Sequence, residues 1–439
     1  MKTMNSDTKN VGLKGTSKET TSTNAENCHT DSRFLTESQG KLNFIDLFAG
    51  CGGLSEGFYK EGFNALLHLE IDSAACKTLQ TRMKHYGYSD EKIEKAVLCD
   101  DITRKEIIKE IDSRISDKVD LIIGGPPCQA FSTQGRAQDP NGMRNDPRNF
   151  LFENYLQILN HFKPKFFIFE NVKGLLTAKP TGTKIFDSII SKMRVTYKVS
   201  SDPKTILLNS ADYGVPQIRQ RVILVGVRND LPIEPEEIYS FITKTNSEKK
   251  SENLPPYVTV REAISDLPKI QAGEGADKLN FQESGSLSDY ISKIRDDNFG
   301  FVYNHKARVH NEKDKERYRI LSSHGNWQLK DLQTIRPDLI NHDPKHFGNR
   351  YTVQEWDKPA KTICAHLYKD GNLFIHPDPD QARTFTVREA ARVQSFPDDF
   401  YFEGSRTDQF KQVGNAVPPL MAQAFAKALK QAFKEVENV

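Results

Sequence analysis

The chain reads as an α/β protein: a parallel sheet with helices on both faces, joined to a second, smaller domain. Three observations predict this. From Lys41 to about residue 230, short apolar runs alternate with amphipathic stretches, the strand–helix rhythm of a parallel sheet. Two of the runs end in stiff or tight punctuation, one in clustered glycines and one in a double proline, as strand ends do. Beyond about residue 232 the rhythm fades into loops, Gly-Asn pairs, histidines and aromatics.

Taken in order, residues 1–40 are rich in Ser, Thr, Asn, Lys and Glu and cannot bury enough apolar surface to offset ordering, which predicts a disordered tail. Leu42 to Leu47 is the first strand; it runs into Phe48-Ala-Gly-Cys-Gly-Gly53 and then a helix through Phe58. Ala65 to Leu69 is the second strand, closed by Glu70, and Ala96 to Cys99 the third, followed by Asp101. Leu121 to Ile123 is a buried strand that enters Gly124-Gly-Pro-Pro-Cys-Gln-Ala-Phe-Ser132. Phe150 to Phe162 has helical periodicity, and Phe166 to Phe169 and Val222 to Val227 add strands. Residues 233–256 read as a linker or exposed insertion, Arg383 to Gln394 as an amphipathic helix, and Pro418 to Phe433 as another helix. The expected division is a tail (1–40), a first domain (41–230), a second domain (231–382) and a segment returning to the first (383–439).

Composition narrows the function. Hydrophobic residues make up 37% of 439 and charged residues 27%, the balance of a polar, soluble protein. No apolar stretch approaches the ~20 residues that cross a bilayer, and no secretory leader is seen, so a cytosolic setting is expected. Six cysteines (Cys28, Cys51, Cys76, Cys99, Cys128, Cys364) include no C-x-x-C pair, which argues against a zinc site and a disulfide framework. Net charge is only +2, so any phosphate-binding face must arise from local segregation of charge.

Two strand ends carry candidate chemistry. At the first, Gly50, Gly52 and Gly53 let the backbone turn sharply and approach a ligand. Glu70 lies 20 residues after Gly50, where a carboxylate suits the two hydroxyls of a ribose. Asp101 is placed to accept from an exocyclic amine. No lysine follows the glycines in P-loop spacing, which favours a nucleoside without phosphates. At the second, Pro126 and Pro127 restrict the backbone before Cys128. A thiol so posed is either a nucleophile or an inert buried cysteine.

Together these residues resemble the DNA (cytosine-5) methyltransferases, over residues 42–230 and 350–433. The matching motifs are Asp46-Leu-Phe-Ala-Gly-Cys-Gly-Gly53, Pro127-Cys128-Gln129, Glu170-Asn171-Val172, Gln217-Ile-Arg-Gln-Arg221, Arg388-Glu-Ala-Ala-Arg392 and Gly414-Asn-Ala-Val-Pro-Pro419, in the family's order. Thr362-Ile363 stands where the family usually has Thr-Leu. The resemblance implies a Rossmann-like, S-adenosylmethionine-dependent methyltransferase sheet with a smaller target-recognition domain. It implies cofactor contacts at Phe48, Gly50, Gly52, Glu70, Ile71, Asp101, Ile102, Pro127, Leu151, Asn415 and Val417, and no metal. Cys128, Glu170, Arg219 and Arg221 are the implied catalytic residues. Gln129, Ser132, Arg136, Arg144, Gln217 and Thr362 are the implied DNA contacts. Double-stranded DNA is the implied partner of a monomer in the bacterial cytosol and nucleoid, beside a cognate restriction endonuclease.

The chemistry explains why such groups are needed. Carbon 5 of cytosine is a poor nucleophile until a thiolate adds at C6. Glu170 can hold N3 and the exocyclic amine, Arg221 can stabilise charge at O2, and Arg219 can order the loop or bind phosphate. A duplex base must leave the stack to reach a thiol, so residues 134–148, with Arg136, Arg144 and Arg148, are expected to close over DNA. Lys306, Arg308, His310, Lys313, Lys315, Arg317 and Arg319, and the group Arg350, Tyr351, Trp356, Lys358, Lys361 and His366, are candidates for phosphate or base contacts. Other readings are a tRNA methyltransferase of the same fold, a silent nucleic-acid binder and, lacking the G-x-G-x-x-G spacing, a nicotinamide dehydrogenase.

Overall fold

The computed structural model describes residues 41–127, 150–179, 182–249, 253–281, 287–296, 299–325, 327–341 and 350–438. The expected tail, and the segment carrying Cys128, Gln129, Ser132, Arg136, Arg144 and Arg148, lie outside the described residues. In chain order the main strands are β1 (Asn43–Leu47), β2 (Asn64–Glu70), β3 (Val97–Cys99), β4 (Leu121–Gly124), β5 (Phe166–Val172), β6 (Tyr197–Val199), β7 (Leu207–Asn209) and β8 (Gln220–Arg228). The principal helices among them are α1 (Gly53–Lys60), α2 (Ser73–His85), α3 (Asp90–Ala96), α4 (Ile107–Arg114), α5 (Leu151–Phe162) and α6 (Ile185–Met193).

These strands form one sheet in the order β3-β2-β1-β4-β5-β8-β6, with β7 also paired to β8. Strands β3, β2, β1, β4 and β5 are parallel, as the strand–helix rhythm predicts. The remaining pairings are antiparallel, which the alternation did not foretell. Ten residues separate β7 from β8, fewer than the dozen or more that a parallel crossover needs. Strand residues alternate between two cores: Phe44, Ile123, Phe166, Ile168 and Ile223 face one, and Ile45, Ile122, Phe167, Phe169 and Leu224 the other. Each fully buried phenylalanine contributes about 1.5–3 kcal/mol, so both faces of the sheet are firmly covered.

The long helix α13 follows a chain of smaller helices: α7 (Pro235–Phe241), α8 (Val260–Ile264), α9 (Glu312–His324), α10 (Leu329–Ile335), α11 (Val387–Val393), α12 (Arg406–Asn415) and α13 (Pro419–Glu437) itself. A β-carbon on Gly57 would stand 2.3 Å from the Gln423 nitrogen, so α1 and α13 pack backbone to backbone. Residues 235–241 form a helix rather than the expected linker, because Leu231, Ile233, Ile238 and Ile242 bury themselves in the sheet's core.

The second unit has its own core. Val260, Ala263, Ile264 and Val302 pack with Ala390, Ala391, Val393, Phe400 and Val413, beside the antiparallel pair β9 (Gly275–Asn280) and β10 (Phe301–Lys306). Residues 387–413 pack into this core and also touch the sheet unit, where Cys51 and Thr78 bond Gln412 and Arg82 pairs with Asp399. Helix α11 is buried on every side, not amphipathic. Its arginines are tolerated inside because each is fully engaged. Arg392 pairs with Asp398 and Asp266, and Arg388 donates to the carbonyls of Tyr303, Pro397 and Phe400. An unpaired buried charge would cost several kcal/mol.

Candidate active site

Strand order alone assembles a site. Between β1 and β4 the sheet reverses its winding direction, and ligands collect outside the carboxyl ends of strands at such a switch point. Read across that edge, the strand ends present Asp101 after β3, Glu70 at the end of β2, the glycine turn after β1, the Pro126-Pro127 loop after β4 and Glu170 near the end of β5. Strand β8 runs the other way, so its first residues, Gln220 and Arg221, meet the end of β5, with Val172 opposite Arg221.

The turn after β1 is tightly wound. Phe48 (φ 60°), Gly50 (φ 54°) and Gly52 (φ 89°) are all left-handed, an arrangement glycine adopts without strain. Nothing lies within 4 Å of a β-carbon built on Gly50, so the turn faces open space. At Gly53, by contrast, a β-carbon would sit 2.5 Å from the Val417 carbonyl. Asn415 and Val417 are thereby carried to the turn from a point over 360 residues later. Glu70 clasps this end: Oε2 accepts from the Gly50 N–H at 2.8 Å, and Oε1 from those of Ile71 (2.9 Å) and Asp72 (2.8 Å). Burial pushes its carboxyl up, against these three donors, which pull it down. Two carboxylate oxygens offer about four acceptor sites, so three are used within the fold. Ile71 is 66% exposed beside it, and Ile102 is buried. Asp101 is exposed and caps Thr103 through Oδ1, and Leu151 is half-buried at the start of α5.

At the other end, the Asn171 amide donates to the Pro126 carbonyl at 3.2 Å, pinning the loop two residues before Cys128. Gly125 lies against Glu170: a β-carbon there would be 2.7 Å from Oε2. Glu170 Oε1 pairs with Arg221 Nε at 2.9 Å, both side chains about one-eighth exposed. Burial pushes the Arg221 guanidinium down and Glu170 opposes this.

Two expected functional residues are placed elsewhere. Gln217 is fully buried; its amide donates to Gln394 at 2.8 Å and accepts from the Ile363 N–H at 2.8 Å. Both ends of the amide, expected to meet DNA, are thus taken inside the fold. Arg219 is 2% exposed and donates to the carbonyls of Ile363 (2.5 Å) and Gly414 (3.2 Å). It is enclosed between these two carbonyls and does not lie on the open face. The period-two alternation explains both. Residues 217, 219 and 221 share one side of the extended chain, and the second unit covers it at 217 and 219 but leaves it open at 221. Thr362 remains exposed, its hydroxyl donating to the Ile218 carbonyl at 2.7 Å.

The basic candidates divide similarly. Arg308 holds the carbonyls of Leu367, Tyr368 and Lys369, Arg317 holds that of Leu339, and Tyr351 is 1% exposed. Lys306, Lys313, Arg319, Lys358 and Lys361 stay exposed. Sequence reasoning gave no role to Asn171, nor to Cys364, which adjoins Ile363, whose carbonyl accepts from Arg219. Asn171 was legible as a polar side chain at a strand end; Cys364 had no signal. Among the described residues no cluster of three metal-ligating side chains occurs, and no helix is long and apolar enough to cross a membrane.

The model of C-5 cytosine-specific DNA methylases matches residues 42–431. The chain belongs to this family. It is 37% identical to the type II methyltransferase M.Bpa9945I of Bacillus paralicheniformis, over 88% of this chain and 98% of that protein. It is 36% identical to the type II methyltransferase M.DdeI of Desulfomicrobium norvegicum, over 91% of each. Among solved structures, a prophage-encoded E. coli chain described as a DNA modification methyltransferase has 26% identity and a TM-score of 0.65, covering 90% of this chain and all of its own. In this cytosine-5 methylase the methylase sheet is thus the eight-stranded one above, closed by α13.

Proposed function

We propose that this family member transfers a methyl group from S-adenosylmethionine to C5 of a cytosine flipped out of a specific duplex DNA sequence, with Cys128 as nucleophile. The observation that carries the reading is the Glu170–Arg221 pair, set against Gly125 at the root of the Pro126-Pro127 loop and one strand beyond the glycine turn.

The residues present fit the cofactor. Gly50 faces open space, the exposed Ile71 offers an apolar surface for adenine, and Glu70 keeps about one acceptor site for a ribose hydroxyl. No lysine stands on the turn to hold a phosphate. Phe48, Gly52, Asp101, Ile102, Pro127, Leu151, Asn415 and Val417 complete the proposed contacts. S-adenosylmethionine, when bound, supplies an electrophilic methyl group on a sulfonium.

The chain's own residues do the rest. The Cys128 thiolate adds to C6 of the base and turns C5 into an enamine-like nucleophile. Glu170, carrying a proton when the base is bound, donates to N3 while its other oxygen accepts from the exocyclic amine, which selects cytosine. Arg221 stabilises the charge that develops at O2, and its pairing with Glu170 fixes both in one orientation. Arg219 and Gln217 position this strand against Ile363 and Gly414 rather than touching substrate. After methylation, loss of the C5 proton to water and expulsion of Cys128 restore the aromatic ring. Gln129, Ser132, Arg136, Arg144 and Thr362 are proposed DNA contacts. A monomer in the bacterial cytoplasm, acting as the modification enzyme beside a cognate restriction endonuclease, fits the type II relatives.

Incubation with duplex DNA and methyl-labelled S-adenosylmethionine tests this. Label is expected in 5-methylcytosine with wild type and none with Cys128→Ser. Transfer to tRNA alone, or to neither nucleic acid, would overturn the reading.

A further inference from the structure

Two free thiols stand behind the nucleoside end of the proposed cofactor site and take no part in the chemistry above. Cys76 is buried in the first turns of α2, and its thiol donates to the Glu70 carbonyl at 3.5 Å. Cys99, the last residue of β3, is exposed and pairs in register with Glu70 across the parallel ladder. Its thiol approaches the Ile71 carbonyl at 4.0 Å. Cys99 is also among the groups that act on the Cys76 thiol, so the two side chains are neighbours at adjacent carbonyls. A thiol pair therefore backs the two peptide units whose front faces carry the Glu70 carboxylate and the exposed Ile71 side chain.

We propose that Cys76 and Cys99 form an oxidant-gated disulfide that reshapes the nucleoside end of the cofactor site. The proposal rests on the reading of Glu70 and Ile71 as nucleoside contacts. Peroxide is the oxidant class. The exposed Cys99 attacks one peroxide oxygen, the O–O bond breaks, and Cys99 sulfenic acid and water result. The Cys76 thiol then attacks the Cys99 sulfur; the S–S bond forms, the S–O bond breaks, and the departing hydroxide takes the thiol proton as a second water. Two thiols are oxidised by two electrons and one peroxide is reduced. Cys99 is exposed and meets the oxidant first, while the buried Cys76 stands behind it and is left to resolve the sulfenic acid.

The consequence follows from geometry. An S–S bond of about 2.05 Å draws both sulfurs off their carbonyl partners. The Glu70 and Ile71 carbonyls lose those thiol donors, and the Glu70 carbonyl is left with the Asp100 N–H. Since the Glu70 carboxylate is itself oriented by the N–H groups of Ile71 and Asp72, a shift of these peptides re-aims it. Disulfides in a reducing compartment are transient and sensing in character, and reduction reverses this one.

The test uses the full chain carrying Cys128→Ser, so that the proposed nucleophile does not consume oxidant. Reduced protein is exposed to hydrogen peroxide, then examined by intact mass, by peptide mapping without reductant, and by calorimetric binding of S-adenosylhomocysteine. Expected are a loss of two hydrogen masses, a cross-linked pair of peptides holding Cys76 and Cys99, and affinity weakened about tenfold or more, restored by dithiothreitol. With Cys99→Ser added, affinity is expected to ignore peroxide. Absence of the cross-link, or a cross-link with unchanged affinity, overturns the switch while the cofactor reading stands. Failure of the reduced protein to bind S-adenosylhomocysteine would instead sink the cofactor reading, and the switch with it.

Discussion

Gly125 is where stability and activity should come apart. A β-carbon added there would lie 2.7 Å from Glu170 Oε2, whereas ordinary contacts begin near 3.4 Å, so the carboxylate must retreat by about 0.7 Å. The obstructing atom is the tip of a flexible side chain, not backbone, and it can rotate away cheaply. Gly125→Ala should therefore cost less than ~1 kcal/mol, a shift in Tm of no more than about 2 °C for a chain of this size. The same movement shifts Glu170 Oε1 relative to Arg221 Nε, 2.9 Å away, without separating the two charges. Reacting groups must be held within ~0.5 Å of productive geometry, and a displacement of about 1 Å can cost roughly 100-fold. Methyl transfer to duplex DNA should accordingly fall by about 10- to 100-fold, with S-adenosylhomocysteine affinity within about twofold of wild type. Labelled methyl transfer, scanning calorimetry and binding calorimetry on one preparation measure all three. Full activity would refute the placement of Glu170 against the proline loop. A large fall in Tm would show that the alanine clash is relieved through the backbone.

Three further outcomes are expected. Arg221→Gln leaves Glu170 without its cation and should lower methyl transfer about 100-fold, while binding of S-adenosylhomocysteine is unchanged; equal loss of both would place Arg221 in the cofactor site instead. Gly226→Ala drives a β-carbon to 1.8 Å from the Phe167 ring in the middle of the sheet, and should cost at least ~1–3 kcal/mol. An unshifted thermal midpoint would contradict the β5–β8 packing. Burial pushes the imidazoles of His305 and His310 down to about 4 and that of His376 to about 3. The folded state refuses protons that the unfolded state accepts below its ordinary value of 6.5, so stability should decline as pH falls from there toward 4. The decline is at most ~1.4 kcal/mol per pH unit per histidine. Glu70, whose carboxyl is pushed up, works weakly the other way. Urea midpoints at pH 7 and pH 5 check the net direction, and equal midpoints would refute it.

How much of this could be read beforehand depended on whether the signal was local. Strands β1 to β5, three to seven residues long, follow from short apolar runs between turn signals, and the same runs order Glu70, the glycine turn and Glu170 along one edge. Local pattern is enough there, because the winding of a parallel sheet aligns strand ends automatically. It fails for α11. A helix written Val-Arg-Glu-Ala-Ala-Arg-Val has the periodicity of a half-exposed helix, and only partners outside it, Asp266, Asp398 and the carbonyls of Tyr303, Pro397 and Phe400, let its arginines go inside. Residues 235–241 mislead for the same reason, since their acidic composition hides a few apolar anchors that reach the sheet.

Gln217 and Arg219 show why the distinction matters for function. Both stand in a motif ending at Arg221, and composition gives no reason to separate three polar side chains spaced two apart. The fold separates them by what lies opposite. Residue 360 bridges to 217 in parallel, the Ile363 N–H and carbonyl meet Gln217 and Arg219 in turn, and Gly414 admits Arg219 to its carbonyl only because it has no side chain, a β-carbon there falling 2.5 Å from the Ala365 nitrogen. The first two polar groups are thereby spent on fastening the second unit to the carboxyl edge of the sheet. That fastening leaves Arg221 as the least buried of the three, while Thr362 stays exposed against the Ile218 carbonyl. An exchange of Arg219 for lysine keeps the charge but not the two-pronged reach. It should loosen residues 360–364 and lower methyl transfer while leaving the Glu170–Arg221 pair intact.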